Sequence, residues 1–175
     1  ALRAGDSLVG LTRKQIIAFH WEPAVQASLA ETWVRERIEG ATRERRRILE
    51  AGDAMLPDEK TSCLLRAEES LDPVRAIGDA VIAAFFSESK RGKRIAARDR
   101  LAHARDMLYH GPTADYTYLK PFQEAVATLR AEPFPVAPFH WEIEFPEAFL
   151  RENPGFDAFV GNPPFQGGRN LTAAM

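Results

Sequence analysis

The chain has 175 residues, enough for one domain with a sizeable core, and its formal net charge of −2 leaves any nucleic-acid role to local basic patches. The single cysteine, Cys63, excludes an internal disulfide. No apolar run is as long as a membrane span and the first residues do not have the order of a signal peptide, so we expect a cytoplasmic protein with no membrane partner.

Helical periodicity begins soon after the N-terminus. Thr12 can cap a short helix that runs to about His20. Pro23 suits the first turn of a second, long helix, which is predicted to run to about Ala51 and to end at Gly52. Apolar residues at spacings of three and four give this long helix one packing stripe.

Four further helices are predicted in the middle of the chain. A third helix follows Pro57, and a fourth starts after Pro73. A fifth is predicted over 93–109, and a sixth follows Thr113 with its apolar residues in helical register. Six such helices indicate a bundle.

The helical pattern ends at the prolines at positions 133, 135 and 138, which predict an extended return segment. Apolar and acidic residues then alternate over 141–147, a pattern that favours an extended conformation with an exposed polar edge. The acidic residues of that edge are Glu142, Glu144 and Glu147. We interpret His140 and Trp141 as a packing pair beside a cleft.

The most informative feature is an apolar run over 156–160 that leads into Asn162-Pro163-Pro164-Phe165. The run predicts a strand buried on both faces of a parallel sheet, and ligand sites in such sheets lie just past the end of a strand. Two prolines fix φ and remove two backbone donors, so the loop presents mainly oxygens. The Asn162 side chain and the Pro163 carbonyl can accept hydrogen bonds from one –NH2 group, while Phe165 offers a ring for stacking.

This arrangement suits methylation of an amino group that is conjugated to an aromatic base. Such an amine is a poor nucleophile because its lone pair is delocalised into the ring. Two acceptors that hold both N–H bonds return the lone pair to one side, and no general base is strictly required because the proton can leave after transfer. The alternative is a strand followed by a diproline turn without catalytic meaning, which the bare tetrapeptide leaves open.

Residues 156–165 resemble motif IV of the amino-methylating, S-adenosylmethionine-dependent methyltransferases, whose pattern is Asn/Asp/Ser-Pro-Pro-aromatic. Residues 140–149 and 166–168 are similar to the surroundings of motif IV in adenine-specific DNA methyltransferases of the type IIG restriction-modification and phage-defence kind. Gly5-Asp6-Ser7-Leu8-Val9-Gly10 resembles their motif III, in which an acidic residue accepts a hydrogen bond from the adenine of the methyl donor. The site residues implied by the resemblance are Asn162, Pro163 and Phe165 for catalysis and Asp6 for binding S-adenosylmethionine.

The resemblance implies a mainly α chain in which a helical bundle, residues 12–132, is inserted between strands of an incomplete Rossmann-like α/β methyltransferase domain. The sheet segments would be residues 1–11 and 133–175. The glycine-rich motif I is not present in the sequence. We therefore expect a fragment whose S-adenosylmethionine site is incomplete and that is inactive alone, with the rest of the methyltransferase domain and a target-recognition domain in a longer parent enzyme.

The resemblance also implies a substrate and a spatial arrangement of the two motifs. The parent enzyme would bind DNA and flip the target adenine out of the duplex, because a stacked base cannot reach the catalytic loop. In the family the donor's adenine and the reacting amine flank one cleft. Residues 5–10 and 156–165 are therefore expected to lie together.

Two other functions stay open, and so do the roles of the charged residues. RNA and protein-glutamine methyltransferases also use Asn-Pro-Pro-Tyr, and a non-catalytic helical interaction domain could carry the tetrapeptide without using it. Basic groups at 43–47 and 90–100 can contact DNA phosphates, although such runs are more often solvated helix faces. The histidines lack the pairing with cysteine or carboxylate expected of a metal site, so no metal is predicted.

Overall fold

The computed structural model describes residues 3–22, 28–110, 119–131 and 135–161. These residues are mainly helical, which confirms the predicted α class, and no β-strand occurs among them. Their helices are α1 (Arg13–Ala18), α2 (Ser28–Ala51), α3 (Pro57–Phe86), α4 (Arg91–His110), α5 (Lys120–Leu129), α6 (Trp141–Glu144) and α7 (Pro146–Phe149), with a short 3₁₀ helix (Gly52–Ala54) after α2.

The core of the bundle surrounds α3, which packs against α2, α4 and α5. Its buried residues recur at intervals of three and four, as on one face of a helix. Fully buried members are Leu71, Val74, Ile77 and Val81 of α3, Val34 of α2 and Phe122 of α5. Each such side chain contributes about 1.5–3 kcal/mol on burial, so packing rather than helix propensity holds the bundle together.

The prediction of a helix boundary at Pro73 is wrong, because α3 continues through this residue. A proline inside a helix costs one backbone hydrogen bond and about 3 kcal/mol. Leu71 and Val74 are fully buried on either side of it, and Pro73 itself lies in the core. Burial of the apolar stripe across the proline therefore outweighs the local cost.

The predicted extended segment over 141–147 is also wrong, because α6 and α7 occupy it. Pro146 starts α7, where its missing N–H costs nothing. The helical turn directs Ile143 into the core and buries Glu144, so the expected exposed acidic edge does not form. Glu142 and Glu147 are each half-buried.

The N-terminal segment pairs with the return segment through one parallel bridge, between Asp6 and Pro138. The backbone N–H of Asp6 donates to Ala137 O at 2.7 Å, and that of Phe139 donates to Val9 O at 2.8 Å. Among the described residues this bridge is the only β pairing. The two predicted sheet segments thus meet, but the division of the chain near residues 12 and 132 stays a prediction.

The predicted buried strand over 156–160 is wrong for the residues described. Phe159 is 76% exposed and Val160 is 100% exposed, and neither belongs to a strand. A strand buried on both faces needs neighbouring strands and covering helices. The described part of the chain offers this segment no neighbouring strand.

Candidate functional site: an aromatic cleft

A cleft of about 570 Å³ lies between the N-terminal segment and the residues that follow the return segment. We call it the aromatic cleft. One wall comprises Ser7, Leu8 and residues 10–12, together with Gln15 at the first turn of α1. The other wall is formed mainly by rings, those of Phe139, Trp141, Phe149, Phe156 and Phe159. The cleft is therefore largely apolar, with backbone groups along one side.

Trp141 is the centre of the aromatic wall. Its ring centroid lies 4.8 Å from that of Phe139, 5.5 Å from that of Phe156 and 5.9 Å from that of Phe159. All three contacts are edge-to-face, the arrangement that aromatic quadrupoles favour. Ring contacts thus position the 156–159 segment, which sequence periodicity assigned to a sheet.

One hydrogen bond and one close backbone contact join the two walls. The indole Nε1–H of Trp141 donates to the Ser7 carbonyl at 3.0 Å. A Cβ on Gly10 would lie 2.1 Å from the Phe139 carbonyl oxygen, so only glycine permits this backbone contact. Gly5, the other glycine of the motif III-like segment (residues 5–10), packs against the Phe139 ring rather than against the backbone.

The sequence-predicted site residues are only partly described. Asp6 is exposed next to the cleft wall, and its Oδ1 accepts a hydrogen bond from the Leu8 backbone at 3.0 Å. Asn162, Pro163 and Phe165 lie outside the described residues. As far as the two segments are described, the structure brings Ser7, Leu8 and Gly10 to one cleft with Phe156 and Phe159, as expected.

A partly buried ion network joins the N-terminal segment to α2, α3 and α6, and no pattern in the sequence indicates it. Arg75 of α3 contacts Glu144 of α6 at 2.6 Å and Glu68 at 2.9 Å. Arg3 also pairs with Glu68. Burial by itself would lower the pKa of Arg75, but the hydrogen bond and charge of Glu144 raise it.

The pKa of Glu68 is also shifted by this network. Burial by itself would raise its pKa, but the hydrogen bond from Arg3 and the charge of Arg75 lower the pKa to about 2. Arg45 completes its surroundings, with Nη2 at 3.3 Å from Oε1. The carboxylate is therefore ionised throughout the neutral range and ties the N-terminal segment to α2 and α3.

The basic residues at 43–47 and 90–100 make different kinds of contact in the structure. Arg45 is turned inward, only 13% exposed, and its Nη1 lies 3.0 Å from the Glu144 carbonyl oxygen. In the group at 90–100, Arg91 pairs with Glu22 at 2.9 Å, and Arg98 pairs with Asp99. These contacts support the interpretation as a solvated helix face for most of that group.

Arg43 and Arg46 of α2 differ from Arg45 in facing solvent. Arg43 and Arg46 are exposed, and neither has an ion pair among the described residues. They line a shallow groove that also includes Arg151, whose guanidinium lies 2.9 Å from Asp157. Arg43 and Arg46 are therefore the cations of this face that are accessible to an anionic partner.

Within the described ranges, no three histidine, cysteine, aspartate or glutamate side chains are grouped so that they could hold a metal ion. No helix in the same ranges combines the length and apolarity needed to cross a bilayer. A comparison of the chain with protein-family models, curated proteins and solved structures finds no match. A functional assignment therefore depends on the sequence motifs and on the geometry of the cleft.

Proposed function

We propose that this chain is part of an S-adenosylmethionine-dependent DNA methyltransferase that methylates the exocyclic amine of a flipped adenine, in a restriction-modification or phage-defence system. One observation carries the proposal. Ser7, Leu8 and Gly10 of the motif III-like segment share the aromatic cleft with Phe156 and Phe159, and Phe159 lies three positions before Asn162. Two motifs that are far apart in sequence thus meet where a common ligand would need both.

The described residues fit the adenine part of the methyl donor. The rings of Phe139 and Trp141, in edge-to-face contact with each other, offer apolar surface on one side of the cleft. Asp6, next to the wall, has a carboxylate that can accept a hydrogen bond from the adenine amino group. When bound, the donor supplies an electrophilic methyl group.

The catalytic part of the proposal falls to the loop that begins at Asn162. The Asn162 side-chain oxygen and the Pro163 carbonyl would accept both N–H bonds of the target amine and localise its lone pair. The same oxygens would stabilise the positive charge on the nitrogen until its proton leaves. Phe165 would stack on the extruded base and offset part of the cost of flipping, which is a few kcal/mol.

The test is Asn162→Ala in the complete methyltransferase, with transfer of labelled methyl groups to DNA as the readout. We expect a loss of at least about 100-fold in the rate, the effect of removing one preorganised polar group from such a site. Asn153→Ala is a matched control, because Asn153 is exposed and also precedes a proline. Its rate should equal that of the wild type.

The other outcomes favour the alternative functions. Full activity of Asn162→Ala would indicate that the tetrapeptide is inert and that the chain is a helical interaction domain. Transfer of the label to RNA or to a protein glutamine, with none to DNA, would favour an RNA or protein methyltransferase.

A further inference from the structure

His140 is a buried histidine, 1% exposed, whose two ring nitrogens have different partners. The backbone N–H of Leu11 donates to Nδ1 at 2.9 Å. On the other side of the ring, Nε2 lies 3.1 Å from Oδ1 of Asp79. A backbone amide can only donate, so Nδ1 is the unprotonated acceptor, and Nε2–H donates to the carboxylate. These contacts define a neutral imidazole in one tautomer.

The helical bundle is shaped to receive this ring. A Cβ at position 78 of α3 would lie 2.5 Å from the His140 Nε2, so Gly78 lets the imidazole approach the helix. The second oxygen of Asp79 accepts a hydrogen bond from Arg130, just past the end of α5, at 3.1 Å. A continuous set of hydrogen bonds therefore links the end of α5, through α3 and His140, to Leu11.

The hydrogen bond between Leu11 and His140 joins two parts of the aromatic cleft. Leu11 lies in one wall, between Gly10 and the N-cap Thr12 of α1. Phe139 and Trp141, the residues on either side of His140, lie in the opposite wall. The Leu11 N–H to Nδ1 bond is thus a direct connection between the two walls.

We propose that His140 is a positioning residue of the aromatic cleft, which joins the two walls only while its imidazole is neutral. A protonated imidazole carries a hydrogen on each nitrogen. Nδ1 would then face the Leu11 N–H as a second donor, and this contact would change from attractive to repulsive. Binding in the cleft becomes linked to the protonation of a residue that does not touch the ligand.

The formal charges around the His140 ring balance. Asp79 is the carboxylate that contacts the imidazole. The other charged groups that face the same small cavity are Arg3, Arg75 and Arg130, and Glu68 and Glu144. With Asp79 they make three cations and three anions, so His140 adds an uncompensated charge when it is protonated.

The test uses NMR on the chain itself, with the His140 ring carbons, the Leu11 amide and the Trp141 indole as probes. In the wild type we expect the Leu11 and Trp141 signals to change with the same midpoint as the His140 ring. His140→Asn places an amide oxygen near the position of Nδ1 and should keep the Leu11 amide protected at every pH. His140→Gln reaches the position of Nε2 instead and should speed Leu11 amide exchange at least about tenfold, even at pH 8.

The control is His103→Gln, because His103 is exposed on α4. It should leave the midpoint and the Leu11 exchange rate unchanged. The proposal is wrong if the Leu11 amide does not follow the His140 ring, if the Asn and Gln variants behave alike, or if the ring stays neutral until the protein unfolds in acid. If His140→Gln does not fold, the wild-type titration and the His140→Asn variant are sufficient to test the proposal.

The inference depends on the proposed function only in treating the cleft as a ligand site. Titration of S-adenosylmethionine into the complete methyltransferase, followed by calorimetry, separates the two. Tight binding above the His140 midpoint that weakens at least about tenfold below it supports both. No binding at any pH, together with the expected Leu11 behaviour, would refute the donor site and leave the role of His140 intact.

Discussion

The guanidinium of Arg75 holds the carboxylate of Glu144 by two parallel hydrogen bonds, from Nε to Oε1 at 2.6 Å and from Nη2 to Oε2 at 3.0 Å. This fork geometry is the strongest form of a side-chain ion pair. It joins the central helix α3 to α6, the helix that carries Trp141 into the aromatic cleft. Stability of the bundle and shape of the cleft should therefore depend on the same pair.

We expect Glu144→Gln to lower the free energy of unfolding by about 1.5–3 kcal/mol, because it removes one of the carboxylate partners of the partly buried Arg75 guanidinium. Urea denaturation measures the change. Glu39→Gln is the control, since Glu39 is 53% exposed and its nearest charge partner, Arg35, is 3.9 Å away. That variant should lie within about 0.5 kcal/mol of the wild type. Equal effects of the two substitutions would contradict a structural role for the Arg75–Glu144 pair.

Replacement by alanine should change the free energy of unfolding in opposite directions at two helical glycines, Gly92 and Gly78. Gly92→Ala in α4 meets no atom within 4 Å and should stabilise the protein by about 0.5–1 kcal/mol, the helix-propensity gain of alanine. Gly78→Ala places its Cβ against the His140 ring and should destabilise by about 1–3 kcal/mol despite that gain. Thermal unfolding measures both. A stabilising Gly78→Ala would show that the imidazole does not lie against α3.

The stabilising effect of Glu68 should disappear in acid. Its folded-state pKa of about 2 lies below the ordinary value of 4.5, so its contribution is complete above the ordinary value. That contribution is lost as the pH falls from about 4.5 to about 2. We expect Glu68→Gln to cost about 1–2 kcal/mol at pH 6, since solvent screens this partly exposed carboxylate, and progressively less below pH 4.

Denaturant unfolding of wild type and Glu68→Gln across pH 2–7 tests this expectation. Glu36→Gln, at an exposed position of α2, is the control for removing one negative charge. A difference between wild type and Glu68→Gln that stays constant from pH 6 to pH 2 would refute the electrostatic origin of the effect.

If the parent enzyme binds DNA as proposed, the two basic groups should contribute unequally. Arg43 and Arg46 are exposed without an ion pair among the described residues, whereas Arg91 pairs with Glu22. Replacing Arg43 and Arg46 together by glutamine should reduce the slope of log K against log salt by about 1–2, because each lost phosphate contact removes about 0.9. Arg91→Gln is the matched control and should leave the slope unchanged. The opposite pattern would assign the DNA contact to α4.

The predicted helices were recovered where a local signal was sufficient. Thr12 caps α1 by accepting from the Gln15 backbone, while the Gln15 side chain accepts from the Thr12 backbone. This reciprocal capping box depends on residues three apart, so spacing alone indicates it. Gly52, predicted as the end of the long helix, adopts a positive φ of 53° directly after Ala51.

The failures share a cause, because at each of them a partner far along the chain outweighed the local pattern. Pro73 predicts a break, yet the apolar residues around it are buried against other helices, so α3 continues. Glu144 alternates with apolar neighbours, but Arg75, 69 positions away, draws it into the interior. An alternating pattern records polarity, and it cannot show that a buried counter-charge is available.

Short-range chemistry along the chain thus accounts for the helical class, for the caps and for the stiff acceptor loop proposed at Asn162, since each needs only neighbouring residues. The aromatic cleft could not be anticipated in the same way. It forms because Trp141 meets Ser7, 134 positions away, and because His140 meets both Leu11 and Asp79. Contacts between distant residues depend on how the helices pack, and packing is a property of the whole folded chain.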